Sequence, residues 1–242
     1  LKQYASDFQT AEYAACLIEQ NVKVINISLS SRPNLLIDAI PHTSVKIAAL
    51  KASNYLSKYI DLSYSFLIVT SSGNNGNNLL DDTNYNNLFC NISEDKVKNR
   101  IIVVGDVIYE NPSTYARHET SSYRGGRVDV MAPGTDIYSA MPNNKYGTKS
   151  GTSMASPFVA GLAGLIWEAN PNLTPERVKE IICETATIPV RDSYANMVNA
   201  EAAVAKALCI LPQADVQSEW RQSFLPRCEV YMFVIFQAYR IQ

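Results

Sequence analysis

The sequence predicts an α/β fold in which helices cover both faces of a mainly parallel sheet. Three apolar runs at residues 22–29, 66–70 and 100–107 have the length and composition of buried strands. Apolar residues at helical spacing precede the first run at 10–21 and separate the first two runs at 44–59. Because strands and helices alternate, the three strands should be parallel neighbours, with a ligand site at their carboxyl ends.

The composition is that of one sizeable globular domain with a full core. The chain has 242 residues, of which 47% are hydrophobic and 18% charged, and its net charge is −2. This balance argues against nucleic acid or an anionic membrane as a partner, and no window reaches the roughly 18 apolar residues of a membrane span. The chain begins with Leu1 and without the pattern of a signal peptide, which suggests a processed or excised piece.

Candidate metal ligands are sparse. The five cysteines form no C-x-x-C pair and no Cys/His cluster, and Cys16 and Cys183 lie in apolar helical patterns typical of small buried thiols. Residues 79–99 are polar and are expected to form a surface loop. Asp81 and Asp82 in this loop are possible calcium ligands, but their spacing matches no calcium motif, so no metal site is assigned.

The stretch S-G-T-S-M-A-S-P at residues 150–157 carries the strongest chemical signal. Gly151 permits a tight turn, Thr152 is a candidate N-cap, and a helix is expected to begin at about Ser153, with Pro157 in its first turns. Small residues follow, so this helix should pack closely inside the core. A serine at a helix start can simply be a cap, but its position also favours the negative charge that develops in acyl transfer.

This stretch resembles the nucleophile motif G-T-S-M-A-x-P of subtilisin-like serine proteases, and the V-D-V-M-A-P-G of residues 128–134 continues the likeness. The α/β-hydrolase elbow G-x-S-x-G fits less well, because Ala155 stands at its second glycine. The resemblance implies a doubly wound parallel sheet of subtilisin-like type, incomplete at the N-terminal side, with Ser153 as the nucleophile of peptide-bond hydrolysis. It assigns residues 1–208 to the carboxyl-terminal portion of the catalytic domain and leaves 209–242 as a tail of unknown role.

The S-S-G-N-N-G of residues 71–76 follows the second predicted strand. Taken alone it is an ordinary turn, since Gly and Asn adopt positive φ cheaply. It also resembles the subtilisin-like segment in which the Asn after the first Gly donates its side-chain amide to the oxyanion. The resemblance implies this catalytic role for Asn74 and a substrate-binding role for Ser72 and Gly73.

The first predicted strand ends in residues that resemble the substrate-binding strand of the same family. The family's usual S-L-G-G becomes Ser28, Leu29, Ser30 and Ser31, so that serines replace both glycines. The resemblance implies that an extended peptide adds as an extra strand against Ser28, Leu29 and Ser30 through main-chain hydrogen bonds. Ser30 adds an atom beside the pocket for the residue before the scissile bond.

The rest of the catalytic triad is not in the expected place. The subtilisin-like order is Asp, His, Ser, and the D-T/S-G and H-G-T motifs that carry the first two precede the substrate strand. Neither motif is present, and the only histidines, His42 and His118, follow that strand. The resemblance therefore implies a serine endopeptidase whose Asp and His lie outside this chain, in a missing N-terminal half.

Several further expectations follow from this interpretation. The partners are that missing half and a peptide or protein substrate, the chemistry requires no cofactor, and the family resemblance favours an extracellular or exported protein. The alternative is a catalytically inactive remnant that serves as a peptide-binding or scaffold module. Residues encoded just before Leu1 would discriminate between the two.

Overall fold

The computed structural model describes residues 7–29, 42–74, 76, 87–111, 114–121, 127–210 and 232–235. The helices are α1 (Asp7–Glu19), α2 (His42–Asp61), α3 (Asp95–Lys98), α4 (Thr152–Ala169), α5 (Pro175–Thr185) and α6 (Ala200–Cys209), with a short 3₁₀ turn at Phe89–Asn91. The strands are β1 (Val24–Ile27), β2 (Leu67–Ser71), β3 (Ile101–Asn111), β4 (Thr114–Arg117), β5 (Val130–Pro133), β6 (Ile137–Met141), β7 (Lys145–Lys149), β8 (Val190–Arg191) and β9 (Met232–Ile235).

The main sheet is mostly parallel and runs in the order β8-β4-β3-β2-β1-β9, with β5 also paired to β3. Strands β1 and β2 are parallel with Val24 opposite Leu67, and β2 and β3 are parallel with Ile68 opposite Ile101. Only the β3–β4 pair in this sheet is antiparallel among the described strands. The predicted arrangement of three neighbouring parallel strands is therefore confirmed.

Two apolar layers sandwich the sheet, because alternate side chains of each strand point to opposite faces. One face packs against α4, α5 and α6 through Val24, Leu67, Val69, Ile102 and Val104. The other face packs against α1 and α2 through Ile25, Ile27, Ile68, Ile101 and Val103. Both layers are needed to bury these continuous apolar strands, which confirms the doubly wound α/β class.

Helix α4 begins at Thr152, and the residue that caps it is Gly151, with φ of 138°. The expectation that Thr152 is the N-cap is therefore wrong. Pro157 is the sixth residue of the helix, beyond the first turn, where a missing N–H would ordinarily leave a carbonyl without a donor. Packing inside the core is right for one face only, since Phe158 and Leu165 are 48% and 57% exposed.

The expectation of a surface loop over residues 79–99 is wrong for residues 87–92, which are mostly buried, and for residues 95–98, which form a helix, whereas residues 93–96 are exposed as expected. The 3₁₀ turn and α3 occupy part of this stretch, and Leu88, Phe89, Cys90 and Ile92 are buried against the layer of α1 and α2. The apolar character of residues 88–92 explains the difference, because exposing them would forgo their burial energy. Asp81 and Asp82 lie outside the described residues.

The cysteines only partly follow the prediction. Cys90 is buried, Cys183 is half-buried, and Cys16 is exposed, so the expectation of a buried thiol is wrong for Cys16. Helix α1 turns Ala14, Ala15 and Ile18 toward the core. The side chain at position 16 therefore lies on the opposite side of the helix.

Part of the carboxyl-terminal tail joins the sheet. Strand β9 lies parallel to β1 with Met232 opposite Val24. None of the helices in the described ranges combines the length and apolar character needed to cross a membrane.

Candidate active site

Ser153 lies at the start of α4, at the carboxyl edge of the sheet. It is the second residue of the helix and is partly exposed. Its N–H belongs to the first turn, where a helix supplies no acceptor of its own, and the helix dipole makes this end favourable for negative charge. The hydroxyl and the adjacent N–H therefore stand where an acyl-transfer nucleophile and an oxyanion donor are both useful.

Asn74 follows β2 and contacts the residue next to Ser153. Its side-chain oxygen Oδ1 accepts hydrogen bonds from the Thr152 N–H at 2.9 Å and from the Thr152 hydroxyl at 2.9 Å. The Gly73 N–H in turn donates to Thr152 Oγ1 at 3.2 Å, in a backbone conformation with φ of 99° at Gly73. Because Oδ1 is held by Thr152, the amide nitrogen Nδ2 is the end of Asn74 left to serve a further acceptor.

A buried polar network ties β1 to the first turns of α4. Ser156 Oγ donates to Asn26 Oδ1 at 2.5 Å, Asn26 Nδ2 donates to Ser28 Oγ at 3.0 Å, and Ser28 Oγ donates to the Ser153 carbonyl at 3.1 Å. In an α-helix that carbonyl would receive the N–H of residue 157, which is proline. Ser28 therefore supplies the hydrogen-bond donor that Pro157 lacks. The same bond fixes the position of Ser153 relative to the end of β1.

Two glycines make the approach to α4 possible. The Gly151 N–H donates to the Gly134 carbonyl at 2.8 Å. A Cβ at Gly134 would lie 2.5 Å from Asp106 Oδ1, and a Cβ at Gly151 would lie 3.1 Å from Asn74 Nδ2. Bare backbone at both positions lets β5, the helix start and Asn74 come together.

The buried carboxyl of Asp106 lies beside the contact between Gly134 and Gly151. Asp106 is fully buried, and burial raises the pKa of its carboxyl from 3.8 to about 6, while nearby His118 and hydrogen bonds from Thr135 and the Gly134 N–H act in the opposite direction. Thr135 Oγ1 lies 3.3 Å from Asp106 Oδ2. His118 Nδ1 is hydrogen-bonded to Thr120 Oγ1 at 2.8 Å.

The remaining predicted substrate-binding residues lie around the ends of β1 and β2. Ser72 is buried and its N–H donates to the Val104 carbonyl at 2.9 Å, while Leu29 is half-buried. The structure thus brings Ser28, Asn74 and the segment around Ser153 together. Ser30 lies outside the described residues.

Sequence reasoning missed several polar residues that hold this site: Asn26, Asn87, Asp106 and Ser156, all of them buried. Two of these four residues could have been recognised from the sequence. Asn26 and Asp106 interrupt otherwise apolar strands, and a buried polar side chain in such a strand needs a partner.

A comparison with protein families shows which family this chain belongs to. A model of the subtilase family matches residues 2–208. The chain belongs to the subtilase family. It is 31% identical over 195 residues to Subtilisin DY of Bacillus licheniformis, a match that covers 75% of this chain and 66% of that relative. It is 39% identical over 87 residues to Subtilisin-like protease 1 of Plasmodium vivax, covering 36% of this chain and 14% of that relative.

Solved subtilase structures share the fold. A structure from a study of subtilase cytotoxin SubAB assembly superimposes with a TM-score of 0.63 at 23% identity, covering 84% of this chain and 64% of the other. A cold adapted subtilisin-like serine proteinase gives a TM-score of 0.57 at 23% identity, covering 81% and 61%. At these identities the likeness concerns the fold alone. This subtilase chain spans no more than 66% of the length of Subtilisin DY.

Proposed function

We propose that this chain carries the nucleophile, the oxyanion donor and the substrate strand of a serine endopeptidase. The observation that carries the proposal is the contact between Asn74 and Thr152, which places an amide beside the helix start that bears Ser153. Membership of the subtilase family supports the same reaction class.

In the proposed reaction Ser153 Oγ attacks the carbonyl carbon of the scissile peptide bond. Its proton passes to a histidine outside this chain, and the carbonyl oxygen becomes an oxyanion that accepts hydrogen bonds from the Ser153 N–H and Asn74 Nδ2. Collapse of this intermediate breaks the C–N bond, the histidine protonates the leaving amine, and the acyl group stays on Ser153. Water then attacks the acyl group in the same way, with the histidine again accepting a proton. The carboxylic acid leaves and Ser153 regains its hydroxyl hydrogen. No step requires a cofactor.

One face of α4 supports a partner segment beside the nucleophile. Phe158 and Leu165 are 48% and 57% exposed on this helix, and a Cβ at Gly161 would meet no atom of the described residues within 4 Å. Exposed apolar side chains beside a bare helix surface favour contact with a further part of the protein. We assign this face to the segment that brings the triad Asp and His.

The substrate in this proposal is an extended peptide or protein segment. It adds as a strand beside residues 28–30, held by main-chain hydrogen bonds. Family membership favours an exported protein as the place where this activity operates.

Labelling by a fluorophosphonate tests the proposal, because the probe reports an activated serine without needing the natural substrate. The intact protein that includes the upstream His and Asp should label rapidly and hydrolyse peptides, and residues 1–242 alone should do neither. Ser153→Ala in the intact protein should abolish labelling and lower kcat by a factor on the order of 10⁶, a magnitude that comes from a subtilisin.

Ser150→Ala is the matched control, because it removes a neighbouring hydroxyl that bonds to Asp136 rather than to the helix start. An intact protein that binds peptides but never labels would favour the alternative, a non-catalytic peptide-binding module. Rapid labelling of residues 1–242 alone would show that a base is already present, and His42 and His118 would then be replaced in turn.

A further inference from the structure

A single arginine organises the surface turn of residues 118–121, which follows β4. Arg117 Nη1 donates to three backbone carbonyl oxygens of this turn, at 2.9 Å to His118, 3.0 Å to Glu119 and 2.8 Å to Ser121. The two middle residues of the turn are exposed, so apolar packing contributes little to holding them. Three carbonyl oxygens that point at one atom repel one another unless a cationic donor lies between them, and a guanidinium is always charged. The conformation of the turn therefore depends on Arg117.

Further hydrogen bonds fix the arginine and the turn to the sheet. Arg117 Nε donates to the Asp192 carbonyl at 3.1 Å, just beyond β8. The Asp106 N–H in β3 donates to Ser121 Oγ at 2.9 Å, and the His118 N–H donates to the Asp106 carbonyl at 3.1 Å. Asp106 and Ser121 are both fully buried. The two ends of the turn are therefore attached to β3, and Arg117 holds the part between them.

The middle of this turn contacts the loop that carries Asn74. The Gly76 N–H donates to the Thr120 carbonyl at 2.7 Å. Gly76 has a φ of 63°, and a Cβ there would lie 3.2 Å from the Glu119 carbonyl oxygen, so backbone approaches backbone at this point. Asn74 itself is exposed, and its Oδ1 accepts the Thr152 N–H. The loop is therefore held by the start of α4 on one side and by the turn on the other.

We propose that Arg117 is a positioning residue for the oxyanion donor. By holding the turn of residues 118–121 it fixes the Thr120 carbonyl, and through Gly76 it fixes the place of Asn74 Nδ2. This inference rests on the proposed function. Because peptide units are planar, the Thr120 carbonyl changes direction when the carbonyls on either side of it turn toward water. An oxyanion donor must lie about 2.7–3.1 Å from the oxyanion, so a small displacement of the loop lowers the rate of acyl transfer.

The first test replaces Arg117 in the intact protein and measures kcat and KM separately. Arg117→Met should lower kcat about tenfold while KM changes by less than about twofold, because the oxyanion donor acts in the transition state and not in substrate binding. Arg117→Lys keeps a charged donor on a slightly shorter side chain and should recover part of the loss. An unchanged kcat in Arg117→Met, or a change confined to KM, would overturn the proposal.

A double-mutant cycle with Asn74→Leu distinguishes positioning from a general loss of structure. If Arg117 acts through Asn74, Arg117→Met should lower kcat by less than about twofold in a protein that already carries Asn74→Leu. Falls of equal size in the two backgrounds would overturn the proposal, because Arg117 would then act independently of Asn74.

Arg191→Met is the matched control. Arg191 lies on β8, which pairs with β4, and its guanidinium binds the carboxylates of Glu110 and Asp192 rather than the backbone of the turn. Its loss should leave kcat within about twofold of the wild type. An equal fall of kcat in Arg191→Met and Arg117→Met would overturn the proposal, because disturbance of this sheet edge would then be the cause.

Gly76→Asn disturbs the same contact from the side of the loop, in case Arg117→Met fails to fold. Asparagine tolerates a positive φ, so the main change is a Cβ at 3.2 Å from the Glu119 carbonyl oxygen. This variant should lower kcat and leave KM unchanged, as Arg117→Met does. Wild-type kcat in Gly76→Asn would show that the contact between loop and turn does not position Asn74.

Hydrogen exchange of the Gly76 amide separates this proposal from the proposed catalysis, because it requires no turnover. In the intact protein this N–H should exchange at least about tenfold faster in Arg117→Met than in the wild type, and at the wild-type rate in Arg191→Met. An unchanged rate in Arg117→Met would overturn the proposal whether or not the protein hydrolyses peptides. Faster exchange in a protein whose wild type hydrolyses nothing would refute the proposed function and leave the support of the loop by Arg117 standing.

Discussion

The buried carboxyl of Asp106 should make the stability of this protein depend on pH in a direction opposite to that of an ion-paired aspartate. Asp106 lies in β3, fully buried, and burial raises the pKa of its carboxyl from 3.8 to about 6. The perturbation that isolates this effect is Asp106→Asn. This change keeps the size and a hydrogen-bond acceptor for Thr135 and Gly134 but cannot ionise.

The sign and size follow from the two pKa values. Because the pKa is higher in the folded protein than in the unfolded chain, folding favours the protonated form, and its contribution to stability is fully present below about pH 4. It is lost as the pH rises through about 6. A rise from 3.8 to about 6 corresponds to about 3 kcal/mol, so the free energy of unfolding of Asp106→Asn minus that of wild type should increase by about 3 kcal/mol between pH 3 and pH 7.

Urea unfolding of the intact protein at a series of pH values, followed by tryptophan fluorescence, measures this difference. Asp61→Asn is the control, because it removes the same charge from an exposed aspartate at the end of α2. Its difference from wild type should change by less than about 1 kcal/mol over the same range. A difference for Asp106→Asn that is flat or that decreases toward pH 7 would refute the assignment of a raised pKa to this carboxyl.

Three further changes test the neighbouring contacts. Asn74→Leu should lower kcat of the intact protein by about 10²–10³ with little change in KM, a magnitude that comes from a subtilisin, because the amide acts only when the oxyanion forms. A change confined to KM would contradict that role. Gly134→Ala should lower the free energy of unfolding by about 1–3 kcal/mol, because its Cβ would lie 2.5 Å from Asp106 Oδ1 and 2.8 Å from the Gly151 carbonyl oxygen. An unchanged urea midpoint would show that the space between Asp106 and Gly151 accommodates the added methyl group. His118→Gln should move the fall in stability to higher pH, because His118 lowers the pKa of Asp106, and a shift to lower pH would exclude that interaction.

The proposed reaction uses an Asp and a His that the proposal places outside this chain. Ser153, Asn74 and Ser28 are joined by hydrogen bonds through Thr152 and the start of α4. A serine hydroxyl without a base is a weak nucleophile. The labelling, stability and kinetic experiments therefore share one requirement, the intact protein, and differ in which contact each of them probes.

The sequence by itself determined the three central strands of the sheet and the position of the candidate nucleophile. Continuous apolar runs predicted β1, β2 and β3 as buried parallel strands, because a strand covered on both faces needs apolar residues at every position. Two helix starts carry a similarly local signal, because the side chains of Thr174 and Asn199 each accept a backbone N–H at the start of α5 and α6. Such signals depend on residues that are close together in the sequence. They can therefore be recognised without knowing how distant parts of the chain pack.

Only the tertiary structure decided which distant residues meet. Asn26 and Ser156 are 130 positions apart, and Asn74 and Thr152 are 78 apart, yet both pairs are hydrogen-bonded. Sequence spacing could not reveal that the Ser28 hydroxyl replaces the N–H that Pro157 lacks. Nor could it reveal that Asn87 bonds to the carbonyls near the ends of β1 and β2. These contacts depend on the register of the parallel strands and on the depth of α4 against the sheet, and both are set by the packing of the whole core.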